Sequence, residues 1–227
     1  AVLEWSQPGP VNLPYDGAPV KASELPSVII NNINSNGTDF SQYLQYSYRV
    51  KAPGDTAYTD GLPANAGTYE VVASLPEKPT TSVPGYQAAS SEPITLIIEK
   101  ISPIVTPPKA IQPEFNGTAQ KLVTAGTLHS AAERDGVEIL FATSEHGTYL
   151  PDIPTGINAG GDYEVWYQTE ETENYLAVGP FEISDVEIRR KKITPIVKLS
   201  EYTYLYDGGE KEPKVTVKDE DDVTELL

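Results

Sequence analysis

Apolar and polar residues alternate with period two over short stretches along most of this chain. Leu44, Tyr46, Tyr48 and Val50 alternate with Tyr43, Gln45, Ser47 and Arg49. Tyr69, Val71 and Ala73 alternate with Glu70, Val72 and Ser74, and Ile94, Leu96 and Ile98 with Thr95, Ile97 and Glu99. Further on, Val137, Ile139 and Phe141, then Tyr163, Val165 and Tyr167, then Val186 and Ile188 repeat the pattern. Successive side chains of a strand point to opposite faces, so each stretch predicts a strand with one face in a core and one in water. Ala131-Ala132-Glu133-Arg134 is too short for an amphipathic helix and lacks a clear apolar stripe. Short strands separated by turn signals predict an all-β fold of antiparallel, Ig-like sandwiches.

The turn signals recur. Tyr15-Asp16-Gly17, Phe115-Asn116-Gly117 and Tyr206-Asp207-Gly208 each place an aromatic residue before Asx-Gly. Asx-Gly favours the two-residue type I′ turn, which predicts hairpins whose arms include residues 13–15 and 18–22 in the first copy and 119–124 in the second. Pro19 then marks an edge position. The surroundings repeat as well. Asn65-Ala66-Gly67-Thr68-Tyr69-Glu70-Val71 returns, with one residue inserted, as Asn158-Ala159-Gly160-Gly161-Asp162-Tyr163-Glu164-Val165. Gly85-Tyr86 is matched by Asn174-Tyr175, and Lys100-Ile101-Ser102-Pro103-Ile104-Val105 by Lys192-Ile193-Thr194-Pro195-Ile196-Val197. A unit of about ninety to a hundred residues therefore recurs.

The expected units are 1–100, 101–192 and a partial third, 193–227, which stops before any Asn-Ala-Gly element. Ser102-Pro103 and Thr194-Pro195 stand where one unit hands over to the next. A proline there fixes φ and stiffens the connection, which favours an extended rod. A partial third unit would leave sheet edges unpaired, so self-association through residues 193–227 is a further expectation. Tyr69 and Tyr163, each just after an Asn-Ala-Gly turn, are expected to anchor their cores as corner tyrosines do.

These motifs together resemble the tandem bacterial surface repeats of the MBG or YDG type. The second unit is the most similar, from Ile101-Ser102-Pro103-Ile104-Val105 through Phe115-Asn116-Gly117 and Asn158-Ala159-Gly160 to Tyr163-Glu164-Val165-Trp166-Tyr167. The first unit lacks the Ile-x-Pro-x-Val opening. The resemblance implies export, an extracellular place at the cell surface, and a non-catalytic role as stalk or adhesive module.

Composition narrows the chemistry. With 16 Lys and Arg against 33 Asp and Glu, the net charge of −17 repels nucleic acid backbones and anionic lipid headgroups. The apolar runs are too brief to span a membrane. The chain has no Cys, which excludes disulfides, thiolate metal sites and cysteine nucleophiles. It has no Met and begins at Ala1, so a processed or excised piece is expected. No Gly-x-Ser-x-Gly elbow occurs, and His129 and His146 lie outside any metal-ligand pattern. No catalytic residue, metal or cofactor is expected. Glu170-Glu171 reads as solvated charge, and so does Asp219-Glu220-Asp221-Asp222, for which weak calcium binding is the alternative. Lys21 and Lys121 follow their turns at the same offset, but nothing beside either points to an isopeptide crosslink. Trp166 is the one candidate binding residue. If Val165 and Tyr167 face the core, its indole points outward, where it could take a glycan or a host surface protein.

Overall fold

The computed structural model describes residues 1–31, 33, 39–77 and 86–219. The chain is all-β, with one short α-helix and two single-turn 3-10 helices among the described residues. Its first part contains β1 (Val2–Trp5), β2 (Val11–Pro14), β3 (Val28–Asn31), β4 (Gln45–Val50), β5 (Thr59–Asp60), β6 (Gly67–Leu75), β7 (Ala89–Ser90) and β8 (Ile94–Glu99). The middle contains β9 (Val105–Thr106), β10 (Gln120–Lys121), β11 (Thr127–Leu128), α1 (Ser130–Arg134), β12 (Leu140–Ala142), β13 (Thr155–Gly156), β14 (Trp166–Thr169) and β15 (Val178–Glu182). Two further strands, β16 (Pro195–Leu199) and β17 (Val215–Asp219), follow.

The main sheet runs β2-β8-β6-β4-β5, with β7 on the far end of β6. All its pairs are antiparallel except β2 and β8, which run parallel. Central β6 shows why these residues make a strand. Tyr69, Val71, Ala73 and Leu75 are buried on one face, while Glu70, Val72 and Ser74 on the other are only half-buried. β8 follows the same rule with Ile94, Leu96 and Ile98 inside. The middle part has a three-stranded sheet, β12-β14-β15, and two small pairs, β10 with β13 and β9 with β11.

Each aromatic-Asx-Gly signal lies between two antiparallel strands: β1 and β3, β9 and β11, β16 and β17. The predicted type I′ hairpin is not what forms. In all three copies the Asx side chain accepts the backbone N–H two residues on, from Ala18, Thr118 and Gly209, at 2.9, 2.9 and 3.0 Å. Only the glycine takes positive φ, +83°, +79° and +82° for Gly17, Gly117 and Gly208. An Asx-turn needs one left-handed residue where a type I′ turn needs two, so the same dipeptide serves a different turn. The strand entering the first of these turns therefore pairs with β8, and residues 18–22 form no return strand.

Buried side chains gather in three clusters. One holds Leu3, Ala73 and Leu75. A second lies wholly in the middle part, around Leu122, Val123, Phe141, Val165, Tyr167, Ile183, Val186 and Ile188. The third is formed by Tyr15, Leu25, Tyr69, Val71, Ile94, Leu96 and Ile98, and it also takes in Ala132, Val137 and Tyr175. The sequence repeat turns over at residue 100, but the packing there is shared. Val137 shows the effect. It belongs by alternation with Ile139 and Phe141, yet it packs in the third of these clusters while they pack in the second.

Candidate functional site

The shared packing is a junction built from three polar contacts around an aromatic pair. Helix α1 is a single turn, too short to be stable alone, and Asp135 ends it by donating its backbone N–H to the Ala131 carbonyl at 3.0 Å. That places the Asp135 carboxylate against the first unit. Its Oδ2 accepts the hydroxyls of Tyr15 at 2.8 Å and Tyr175 at 3.1 Å, and its Oδ1 accepts Arg134 Nε at 3.2 Å. The two tyrosine rings meet edge to face, 5.6 Å apart at 80°. Tyr15 keeps 7% of its surface exposed and Tyr175 2%.

Burial and the neighbouring carboxylate set the acid–base behaviour of this cluster. Burial first, then the hydrogen bond to Asp135, pushes the Tyr15 hydroxyl up to about 12. The same two causes raise Tyr175. The hydrogen bond from Tyr15 lowers the Asp135 carboxyl, helped by those from Arg134 and Tyr175 and opposed by burial. The cluster is a fixed carboxylate held by two neutral donors and one cation, and charge-assisted hydrogen bonds of this kind are the stronger ones.

Two further contacts flank it. The Asn174 amide bonds the Asn-Ala-Gly turn of the first unit, its Oδ1 accepting the Ala66 N–H at 2.8 Å and its Nδ2 donating to Asn65 Oδ1 at 3.3 Å. Lys100 Nζ pairs with the Glu171 carboxylate and donates to the Thr172 carbonyl at 2.7 Å. Ile101 and Tyr175 bridge in parallel, with the Leu176 N–H donating to the Ile101 carbonyl at 2.9 Å. The chain leaving the first unit is thereby stitched to the second.

The corner tyrosines hold the two Asn-Ala-Gly turns, the first of which carries the Asn174 contact. Tyr69 donates its hydroxyl to the Asn65 carbonyl and Tyr163 to the Asn158 carbonyl, both at 2.9 Å. The residue inserted in the second unit is absorbed, so the bond reaches back five residues where the first reaches back four. A Cβ added to Gly156 would lie 2.5 Å from the Tyr163 ring, so the ring's seat requires glycine there. Tyr149 donates to the Glu145 carbonyl at 2.9 Å in the same way, after Gly147-Thr148, a copy of the Gly67-Thr68-Tyr69 run. Tyr69 is buried, whereas Tyr163 is half-buried at the edge of its cluster.

Trp166 sits in β14 between Ala142 and Glu182, on the face opposite buried Val165 and Tyr167. It is half-buried. Its Nε1 is shut off from solvent and has no acceptor among the described residues. His129 precedes α1 and is exposed, and the His146 side chain is 92% exposed, 4.0 Å from Glu145. Among the described residues no group of three or more His, Asp and Glu is arranged to hold a metal ion. Glu220, Asp221 and Asp222 of the acidic run lie outside the described residues. Lys21 and Lys121 are both exposed, and Glu171, read as solvated charge, belongs to the junction. No helix among the described residues is long and apolar enough to cross a membrane.

Alternation alone could not expose Asp135, Arg134, Asn174 and Lys100 as partners, because Tyr15 and Asp135 are 120 residues apart. The available signal was the pairing of two motif tyrosines, Tyr15 and Tyr175, with a helical turn too short to stand unaided. No protein family, no curated protein and no solved structure matches this chain.

Proposed function

We propose that the chain is a non-catalytic spacer, a stalk segment of a bacterial cell-surface protein, in which Ig-like β units are fixed end to end. The observation that carries this reading is the Tyr15–Asp135–Tyr175 cluster at the junction. Units joined by a flexible linker move independently by default, and an interface resists such motion when it is apolar and well paired. Here an aromatic pair excludes water, the carboxylate fixes its orientation, and Lys100 and Asn174 block rotation to either side. Such a joint transmits load and holds what lies beyond it at a set distance. Small-angle scattering tests it. The unmodified chain is expected to fit a single fixed arrangement of residues 1–190, and Asp135→Ala with Asn174→Ala to broaden the distance distribution. Identical curves would defeat the spacer reading.

Adhesion through Trp166 is the second reading, favoured by the half-buried place of its ring on the face of β14 opposite the core. A glycan array with Trp166→Ala as control separates the two. Binding lost in that variant supports adhesion, and equal signals from both proteins remove it.

A further inference from the structure

We propose that the end of the second unit around Phe115 is a docking face for another β unit of the same kind. That unit would meet Phe115 with an apolar side chain where the second unit meets Tyr15 with a carboxylate. The inference rests on the spacer reading and extends it to a second junction.

The second unit repeats each piece of the first unit's occupied end. Tyr15 and Phe115 occupy the same place before the same Asx-turn, and each anchors its N–H at 2.9 Å on the strand that leads out of its unit, on the Glu99 and Arg189 carbonyls. Beside each stands an Asn-Ala-Gly turn held by a tyrosine hydroxyl. Lys192 stands where Lys100 does.

The difference is cover. Tyr15 is buried by the second unit, whereas Phe115 is 36% exposed, and Ile157, next to the Asn-Ala-Gly turn, and Ile193, next to Lys192, are 49% and 41% exposed. A Cβ on Gly17 would come 3.1 Å from the Arg134 guanidinium across the junction, but one on Gly117 would meet nothing within 4 Å. Among the described residues the face is built and open.

Its chemistry specifies the partner. Phe115 has no hydroxyl, so a carboxylate placed as Asp135 is would be desolvated with one of its three donors missing, which is costly. The matching side chain is therefore aliphatic or aromatic. Lys192 is exposed in the place from which Lys100 reaches Glu171, so the partner also carries a carboxylate at its rim.

Because the chain lacks cysteine, a single Ile157→Cys gives a unique thiol on this face. Its alkylation rate is measured in the unmodified-length chain and in one where residues 1–192 are followed by a second copy of 101–227 carrying Asp135→Leu and no cysteine. The added unit is expected to slow labelling by about tenfold or more. A similar slowing is expected with Asp135 retained when Phe115→Tyr restores the hydroxyl. Equal rates in every chain, with the added core protected from hydrogen exchange, would overturn the proposal.

Should the added unit fail to fold, the unmodified chain still decides. Phe115→Lys is expected to leave Tm within about 1 °C while Tyr15→Lys lowers it clearly. Equal losses would mean that Phe115 is already covered, and the docking face would not exist. Failure here leaves the scattering result on the first junction standing, so the two readings fall separately.

Discussion

Asp135 accepts three hydrogen bonds on one carboxylate, so its removal should be felt more than that of any single donor. Asp135→Ala leaves two hydroxyls in a tight apolar setting without an acceptor, and a loss of about 2 kcal/mol is expected from urea denaturation. Tyr15→Phe removes one donor and keeps the ring, so about 1 kcal/mol is expected there. The cluster also fixes the pH response. Asp135 has its folded pKa lowered, so its contribution is complete above about pH 4 and is lost as pH falls through the folded value. Tyr15 has its folded pKa raised, so its contribution is complete below about pH 10. It is lost as pH rises through about 12. Asp135→Asn should flatten the acid limb of a stability–pH curve, and an unchanged limb would remove the carboxylate from this role. At the corners, Tyr69→Ala should cost about 3–5 kcal/mol and Tyr163→Ala clearly less, because only the first ring is fully buried. Equal losses would contradict that difference in packing.

At the scale of elements, the strands were legible because period two leaves a mark that survives any topology. Tyr69, Val71 and Ala73 are inside as their alternation requires, and so are Ile94, Leu96 and Ile98. The turn at Asp16-Gly17 was legible as a turn but not as a type, since Asx-Gly satisfies both an Asx-turn and a type I′ hairpin. What decides is the partner of residues 11–14, and β8 lies far along the chain. The junction was less legible still. Nothing local marks Asp135 as the partner of two tyrosines, and the five-residue helix that aims it has almost no sequence signature. The three turn glycines allow a graded test. Alanine in left-handed backbone costs about 1–2 kcal/mol wherever it is placed. Gly17→Ala should cost more than Gly117→Ala, because only the first would press on Arg134. Thermal melts of the two variants check this, and identical midpoints would argue that the junction yields freely.

Across the whole molecule, stability should be uneven. Among the described residues β16 and β17 pair only with each other, and Val197 and Val215 are exposed on them. Their amides are expected to exchange about a thousandfold faster than those of β6 and β8, which sit in the middle of the main sheet. Comparable rates would mean that some other surface shelters the pair. The shared cluster has an effect in the opposite direction, on how the molecule is made. Ala132, Val137 and Tyr175 complete the packing around Tyr15 and Tyr69, so the amino-terminal unit is unfinished when its own last strand leaves the ribosome. At roughly 5–20 residues per second, several seconds of synthesis separate that strand from Tyr175. Throughout that interval the packing around Tyr15 and Tyr69 lacks partners from the second unit, and the arrival of Tyr175 supplies the last of them.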